Sequence, residues 1–361
     1  MIEVKYLKLD KTKRTIVISD IHANLHLFKR LLDKLQFTAE DYLFINGDLC
    51  EKGPASLEVI NYVRCMSEES TNVFITKGNC DVVFRSVISG NESIISYMNR
   101  QQYSVLNEML LKNGKSLDDF ADLKELAHYY RSYFSEELEW LEALPTAFET
   151  DDFIIIHAGI ENNVDWKQTS EHFGISTPSF YEKNHQADKT VIVGHWPVVN
   201  YRAEQISSHN PLIDLEKRVI ALDGGNQIKA DGQLNALIIK NDTFSFTYVD
   251  ELTCEMFVQH EHVDSTGRVG TVTYPNYQMT IIKKEEFFTL CENNNLGIQQ
   301  WIKNEYLIVN DNDARCKDDL STTFLSVNKG DSVHIVNDTC EGYTLIKKNN
   351  GEVGWIPTSC L

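Results

Sequence analysis

The chain has 361 residues, an ordinary apolar share of 42% and a formal charge of −19. That length suits roughly two domains, and the charge argues against nucleic acid as the main partner, because phosphate-backbone contact needs Lys and Arg in excess. No apolar run is long enough to span a bilayer and the first residues carry no secretory h-region, so a cytoplasmic protein with no membrane partner is expected. The eight cysteines are scattered, with no C-x-x-C pair. They predict free thiols and exclude a zinc finger.

In chain order, residues 1–14 read as a first strand and a Lys-rich turn. Ile16-Val-Ile runs into Ser-Asp20-Ile-His22-Ala-Asn24, a buried strand ending in a polar loop. Apolar spacing over Leu25–Leu35 predicts a helix. Asp41–Asn46 is a second strand ending in Gly47-Asp48. Ala55–Met66, just after Pro54, is a second helix. Asn72–Thr76 is a third strand, ending in Lys77-Gly-Asn79-Cys80-Asp81. Strand–helix alternation of this kind signals an α/β core.

Residues 82–144 change character and predict a helical insert, with one helix from Asn91 to Leu111 closed by Asn113-Gly114. Ser116 and Ser135 are placed to cap further helices. Strands resume over Asp152–Gly159, ending in His157, and over Thr190–Pro197, ending in His195. Arg218–Gly225, Gln233–Lys240 and Thr243–Val249 predict an antiparallel second sheet. Residues 253–304 read as a connector or small subdomain, with strand character over Thr271–Ile282 and a short helix over Lys284–Leu290. No internal repeat stands out.

The loops after the strands offer Asp20, His22, Asp48, Asn79, His157 and His195. Two acids, an amide and three imidazoles suit two adjacent divalent ions sharing a carboxylate, about 3.5–4 Å apart, as used in phosphate-ester hydrolysis. Hard oxygen with imidazole favours manganese, with iron or zinc as alternatives, over calcium or copper.

The motifs SDIHAN (19–24), GDLCEKGP (47–54), KGNCD (77–81), IIIHAG (154–159), GHWP (194–197) and ALDGG (221–225) resemble, in order, those of the calcineurin-like metallophosphoesterase superfamily. They are most similar to its bacterial phosphoprotein phosphatase branch. The resemblance covers residues 1–252 and implies an α+β fold, a β-sandwich of two sheets flanked by helices. It implies that Asp20 and His22 hold one ion, that Asp48 bridges, and that Asn79, His157 and His195 hold the second. Pro197 stands where phosphodiesterase branches carry a second imidazole.

Two positions depart from the pattern. Where the family has G-D-x-x-D-R-G, this chain has Glu51-Lys52, and where it has G-N-H-E, this chain has Cys80-Asp81. By resemblance Cys80 takes the proton donor's place and Glu51 that of its orienting acid. A thiol is the poorer donor at neutral pH, with an ordinary pKa of ~8.5 against ~6.5 for imidazole. The bland alternative is that Cys80 only fills space. The GNCD form also resembles small bacterial and archaeal phosphodiesterases. Lys52 offers phosphate a point charge in place of a planar fork. Arg85 and Arg202 follow metal motifs and are further phosphate candidates, set against plain surface placement. His26 reads as a surface residue of the first helix, and the His260/His262 pair lacks the partners of a metal site.

Residues 305–361 resemble an SH3 domain, through Ile308–Arg315, Phe324–Asp331 and Gly351–Pro357. The stacking surface for polyproline is depleted. Asn310, Asn312 and Cys360 stand at tyrosine positions, and Tyr343 stands where a Trp is usual, while Trp355 and Pro357 remain. A docking or intramolecular role is therefore expected. Together these features predict a phosphatase that hydrolyses phosphomonoesters, by resemblance a phosphoprotein, through a metal-activated hydroxide. A phosphodiester or dinucleoside polyphosphate is the alternative substrate. The rival class is a weakly active phosphate-sensing scaffold with a docking module.

Overall fold

The computed structural model describes residues 1–310 and 313–361, so Asn312 lies outside the described residues. The chain begins with β1 (Val4–Tyr6), β2 (Thr15–Ile18), α1 (Leu25–Leu35), β3 (Tyr42–Asn46), α2 (Ser56–Glu69) and β4 (Val73–Thr76). Short helices follow as α3 (Phe84–Ile88), α4 (Ser93–Arg100), α5 (Val105–Lys112), α6 (Leu123–Tyr133) and α7 (Ser135–Glu142). Next come β5 (Ala147–Glu149), β6 (Phe153–Ile156), α8 (Glu171–Ser176), β7 (Thr190–Val193), β8 (Leu212–Asp214), β9 (Val219–Ala221), β10 (Gln233–Lys240) and β11 (Thr243–Asp250). The remainder has strands but no α-helix among the described residues: β12 (Glu255–Phe257), β13 (Thr271–Val272), β14 (Gln278–Lys284), β15 (Phe288–Asn293), β16 (Ile298–Lys303), β17 (Leu307–Asn310), β18 (Asp313–Cys316), β19 (Leu320–Ser321), β20 (Ser332–Asn337), β21 (Tyr343–Lys348) and β22 (Val353–Pro357). No helix among them is long and apolar enough to cross a membrane.

Two compact units emerge. The first takes residues 1–196, 211–228 and 233–249; the second takes 197–210, 229–232 and 250–361.

The first unit contains two sheets, ordered β11-β10-β2-β3-β4 and β1-β5-β6-β7-β9-β8. Strands β2, β3 and β4 run parallel, as do β6, β7 and β9. Alternation along each strand sends side chains to two cores. Val17, Phe44, Ile155, Ile192, Ile220 and Leu237 pack together from both sheets. Ile16, Ile18, Leu43 and Ile45 pack on the other side with Leu27, Phe28 and Leu31 of α1. Strands covered on both faces must be apolar throughout, which is why they read as continuous hydrophobic runs. Asn24 caps α1, accepting from Leu27 N at 3.0 Å, so the polar loop turns directly into a helix. The insert α3–α7 joins the same core through Met98, Leu106, Tyr130 and Leu141. The fold is the expected two-sheet α+β sandwich with helices.

Several local expectations change. The helix expected over Asn91–Leu111 is two helices, because Ser104 caps α5 and is itself held, with Val105 N, by the Glu51 carboxylate. The strands over 218–225, 233–240 and 243–249 do not form one antiparallel sheet: β9 joins β7 in parallel in one sheet, while β10 and β11 extend the other beside β2. Lys284–Leu290 is not a helix but the end of β14, a tight turn over residues 285–287 and the start of β15, closed by Glu285 N donating to Phe288 O at 2.9 Å.

The boundary expected at 304/305 does not divide the second unit. The sheet β16-β15-β14-β18-β17 runs across it, and β12 pairs with β20 far beyond it. A repeated order of elements appears that the sequence does not display. Strands β14, β15 and β16 lead into a 3₁₀ turn at Asn304–Tyr306, and β20, β21 and β22 into one at Thr358–Cys360. Leu290 faces Trp301 across the first meander, as Leu345 faces Trp355 across the second. Trp355 is fully buried and donates to Ser321 O at 2.8 Å, so it offers no stacking surface.

Val272, Met279, Phe288 and Ile302 share one core with Leu345, Val353 and Trp355. Burying each such side chain contributes about 1.5–3 kcal/mol. A chain ending at residue 304 is therefore expected to aggregate rather than remain folded and soluble, and size-exclusion chromatography with light scattering checks this. A monodisperse, cooperatively melting truncation would show that the core does not need its C-terminal half.

Candidate metal centre

The loops after the parallel strands turn through the left-handed region. Asp20, His22, Asp48 and His195 have φ of 59°, 46°, 52° and 65°, and Glu51 and Lys52 have 70° and 72°. Holding a non-glycine residue there costs about 1–3 kcal/mol, so the surroundings must over-determine each turn. Buried carboxylates do this. Asp81 accepts the backbone N–H groups of Asp48 (2.9 Å), Leu49 (2.8 Å), Cys50 (3.3 Å) and Gly78 (2.8 Å). The Asp20 carboxylate accepts from His195 N at 3.1 Å and from the Ser19 hydroxyl. Asp48 Oδ1 accepts from Cys80 N at 2.9 Å. A Cβ on Gly78 would collide with Asp48 Oδ1, and one on Gly194 with Asp20 Oδ2, so both positions require glycine.

The imidazoles are aimed by their other ring nitrogen. His157 Nδ1 donates to Asn46 O at 2.9 Å and His22 Nδ1 to Cys50 O at 3.2 Å, leaving each Nε2 facing inward. Asp48 divides its oxygens between them. Oδ1 lies 3.3 Å from His157 Nε2 and Oδ2 lies 3.8 Å from His22 Nε2. His22 Nε2 is also 3.9 Å from Asp20 Oδ1, yet it is buried with no hydrogen-bond partner among the described residues. Ligands about 2.1 Å from one ion lie at most about 4.2 Å apart, so these separations suit a shared cation, and the two from His22 Nε2 are too long for hydrogen bonds. Asp48, His157 and His195 offer ligand atoms all within 4.8 Å of one another, and so do His22, Asp48 and Cys80. The Asn79 side-chain amide lies against His195: in one orientation its nitrogen donates to His195 Nδ1 at 2.8 Å, and in the other its oxygen faces that ring while the nitrogen donates to Cys80 Sγ at 3.5 Å, the orientation a cation beside His195 would select. The six expected ligands are thus brought together, and their donor set fits two divalent ions.

The electrostatics agree. Burial pushes Asp20 up to about 7, with the neighbouring Asp48 charge adding to it. Burial acts on Asp48 in the same direction, but His157 and the other imidazoles hold it well below the carboxylate range. Burial opposes the charging of His157, yet Asp48 raises it to about 10. Burial and His157 lower His195 to about 4. A cation shared by Asp48 and His157 would answer the same imbalance.

Other expected site residues are placed differently. Glu51 is fully buried, and its carboxylate accepts from the Tyr97 hydroxyl, Ser104 Oγ (3.1 Å) and Val105 N (2.7 Å), not from Cys80. Arg85 donates to Glu142 (2.6 and 2.9 Å) and Glu171 (2.9 and 3.2 Å), which fills its planar fork. Arg202 belongs to the second unit and donates to Asn210 O at 3.4 Å. Lys52 is half-buried beside Tyr97, 5.7 Å from the ring centroid, and has no ion-pair partner among the described residues. His26 is exposed on α1, and His260 and His262 join no group of three ligands among the described residues.

Sequence reasoning missed three supporting residues. Asp81 was visible only as the end of KGNCD. Asn226 Nδ2 donates to Ile21 O at 2.7 Å, steadying the Asp20 loop. Asp223, within ALDGG, is fully buried with Oδ2 unpartnered among the described residues, and burial pushes it up to about 7, reinforced by Asp20. Only the ordered motif around each hinted at a role.

Residues 13–225 match the model of the family described as calcineurin-like phosphoesterase. The chain therefore belongs to the calcineurin-like phosphoesterase family. Among curated proteins it is 29% identical over 147 residues to a symmetrical bis(5′-nucleosyl)-tetraphosphatase of Vibrio campbellii, covering 40% of this chain and 44% of that one. A protein of the same name from Buchnera aphidicola is 42% identical over 77 residues, covering 21% and 27%. The chain spans less than half the length of these relatives. A serine/threonine phosphatase structure from Saccharomyces cerevisiae, described as similar to human PP5, aligns with a TM-score of 0.46 at 13% identity, covering 70% of this chain and 84% of that one.

Two predictions follow from the buried acids. Asp81→Asn replaces one acceptor oxygen with a donor facing N–H groups, and should destabilise by about 2–4 kcal/mol with loss of bound metal, read by urea unfolding and metal analysis. The second concerns pH. Folded Asp20, Asp81 and Asp223 hold protons up to about 7 that the unfolded chain releases near ~3.9. They outnumber His195, whose lowering to about 4 acts in the opposite sense. The chelated protein should therefore lose stability as pH rises from about 4 to about 7, and Mn²⁺ should flatten the dependence; melting curves at each pH test both.

Proposed function

We propose that this chain is a two-ion phosphoesterase whose best substrates release a group stable as an anion, with phosphoanhydrides such as dinucleoside tetraphosphates ahead of phosphoserine. The observation that carries this reading is Glu51. Its carboxylate is taken up by Tyr97, Ser104 and Val105, so it is not free to orient Cys80 as a proton donor. A well-placed general acid contributes about 10²–10⁴-fold, and mostly to poor leaving groups. The curated relatives, named for a dinucleoside tetraphosphate activity, support the same order.

In this reading Asp20 and His22 would hold one ion and Asn79, His157 and His195 the other, with Asp48 shared between them. Bound divalent ions, which we take as manganese with iron or zinc as alternatives, would polarise the phosphoryl oxygens and lower the pKa of the attacking water. Lys52, with no carboxylate partner, neutralises a phosphate oxygen near the Asp48 loop. Asp81 keeps that loop in its left-handed turn, so that the ligands are pre-set before substrate arrives. The phosphoprotein reading ranks second and rests on the resemblance to the bacterial phosphoprotein phosphatases. For the second unit we favour a docking role over polyproline binding, because Trp355 is buried.

The test is turnover with added Mn²⁺ on diadenosine tetraphosphate, an aryl phosphate and a phosphoserine peptide. The first two should exceed the third by about 10²-fold or more, and Asp48→Asn should abolish all three and lower the metal content. Equal rates on phosphoserine, or two ions and full activity in Asp48→Asn, would overturn the proposal.

A further inference from the structure

Cys80 opens the turn after Asn79 and is 8% exposed. Its N–H is anchored to Asp48 Oδ1 at 2.9 Å, which fixes its backbone against the centre. Its sulfur, a His22 ring nitrogen and an Asp48 carboxylate oxygen all lie within 4.8 Å of one another. In the same group His22 Nε2 is buried and has no hydrogen-bond partner among the described residues. The acid expected to pair with Cys80 is turned away into the helical insert. A side chain beside two ligand atoms, one of them an orphan, with its expected acid partner engaged elsewhere, is positioned to meet an ion.

We propose that Cys80 is a metal ligand, its thiolate binding together with His22 and Asp48 the ion on the Asp20 side of the centre. This rests on the two-ion reading above. The ion displaces the S–H proton, which passes to solvent, and no oxidation state changes. A sulfur ligand is soft, so it shifts this position from manganese towards zinc or iron. It also takes the sulfur out of proton donation, in keeping with a preference for leaving groups that need none.

The experiment loads the metal-free full chain with Co²⁺, counts bound cobalt, and records the near-ultraviolet thiolate-to-cobalt charge-transfer band. Wild type should show the band, Cys80→Ser should lose it, and Cys50→Ser, in the neighbouring loop, should keep it. Competition between Zn²⁺ and Mn²⁺ should show the zinc preference of Cys80→Ser reduced by about 10-fold or more, the scale of losses from perturbing a metal shell. X-ray absorption on zinc-loaded wild type needs no variant and should show one sulfur at about 2.3 Å. Two bound cobalt ions in wild type with no such band, a band that survives Cys80→Ser, or a zinc shell without sulfur would each overturn the assignment while leaving the two-ion reading intact. No cobalt bound by wild type would overturn both.

Discussion

Four carboxylates, Asp20, Asp48, Asp81 and Asp223, are withdrawn from water within one unit, none more than 3% exposed. Burying unpaired charge in a low-dielectric interior is among the costliest arrangements a fold can hold. Asp81 is compensated by four backbone N–H groups, and Asp48 by imidazoles. Asp20 and Asp223 have less, and Asp223 keeps an oxygen unpartnered among the described residues. The remaining imbalance is of the kind that divalent cations correct. The metal is thus tied to the stability of this unit as well as to its chemistry.

The same acids shape the backbone. Strand ends that turn through the left-handed region would relax if their N–H groups faced water. Asp81 ties the Asp48 loop to the Gly78 loop, and Asp20 ties the first loop to His195. Each carboxylate joins segments far apart in sequence, so the ligand geometry is a property of the assembled sheets. The inward aim of His157 and His22 depends in turn on the carbonyls of Asn46 and Cys50, on β3 and the loop after it.

The helical insert is fastened to the Asp48 loop through Glu51, and also by Lys52 N donating to Tyr103 O at 3.0 Å. Glu51 sits beside Lys52 on the metal loop and takes up Tyr97 of α4 and the start of α5. A residue in a catalytic motif has become the anchor of an insert. That exchange couples the position of α4 and α5 to the Asp48 loop. Arg85 makes a parallel link, joining α3 to Glu142 of α7 and to Glu171 of α8.

The six candidate ligands and their order were legible in the sequence, because each follows a strand by one to four residues, Asp20 and His22 the same one, and strand-then-polar-loop is a local pattern. The helix at Leu25–Leu35 and the parallel run β2, β3, β4 were legible for the same reason. What the sequence did not determine were the partners. Glu51 and Tyr97 are 46 residues apart, and Arg85 and Glu171 are 86 apart. No periodicity encodes such pairs, so both residues looked like substrate or catalytic groups. The pairing of β12 with β20, and the break between α4 and α5, escaped for the same reason. The sequence by itself determined which atoms could meet an ion, since that depends on residue type at strand ends. Only the tertiary structure decided where the side chains of Glu51, Arg85 and Cys80 point, because buried groups take whichever partner the packed fold leaves within hydrogen-bond reach.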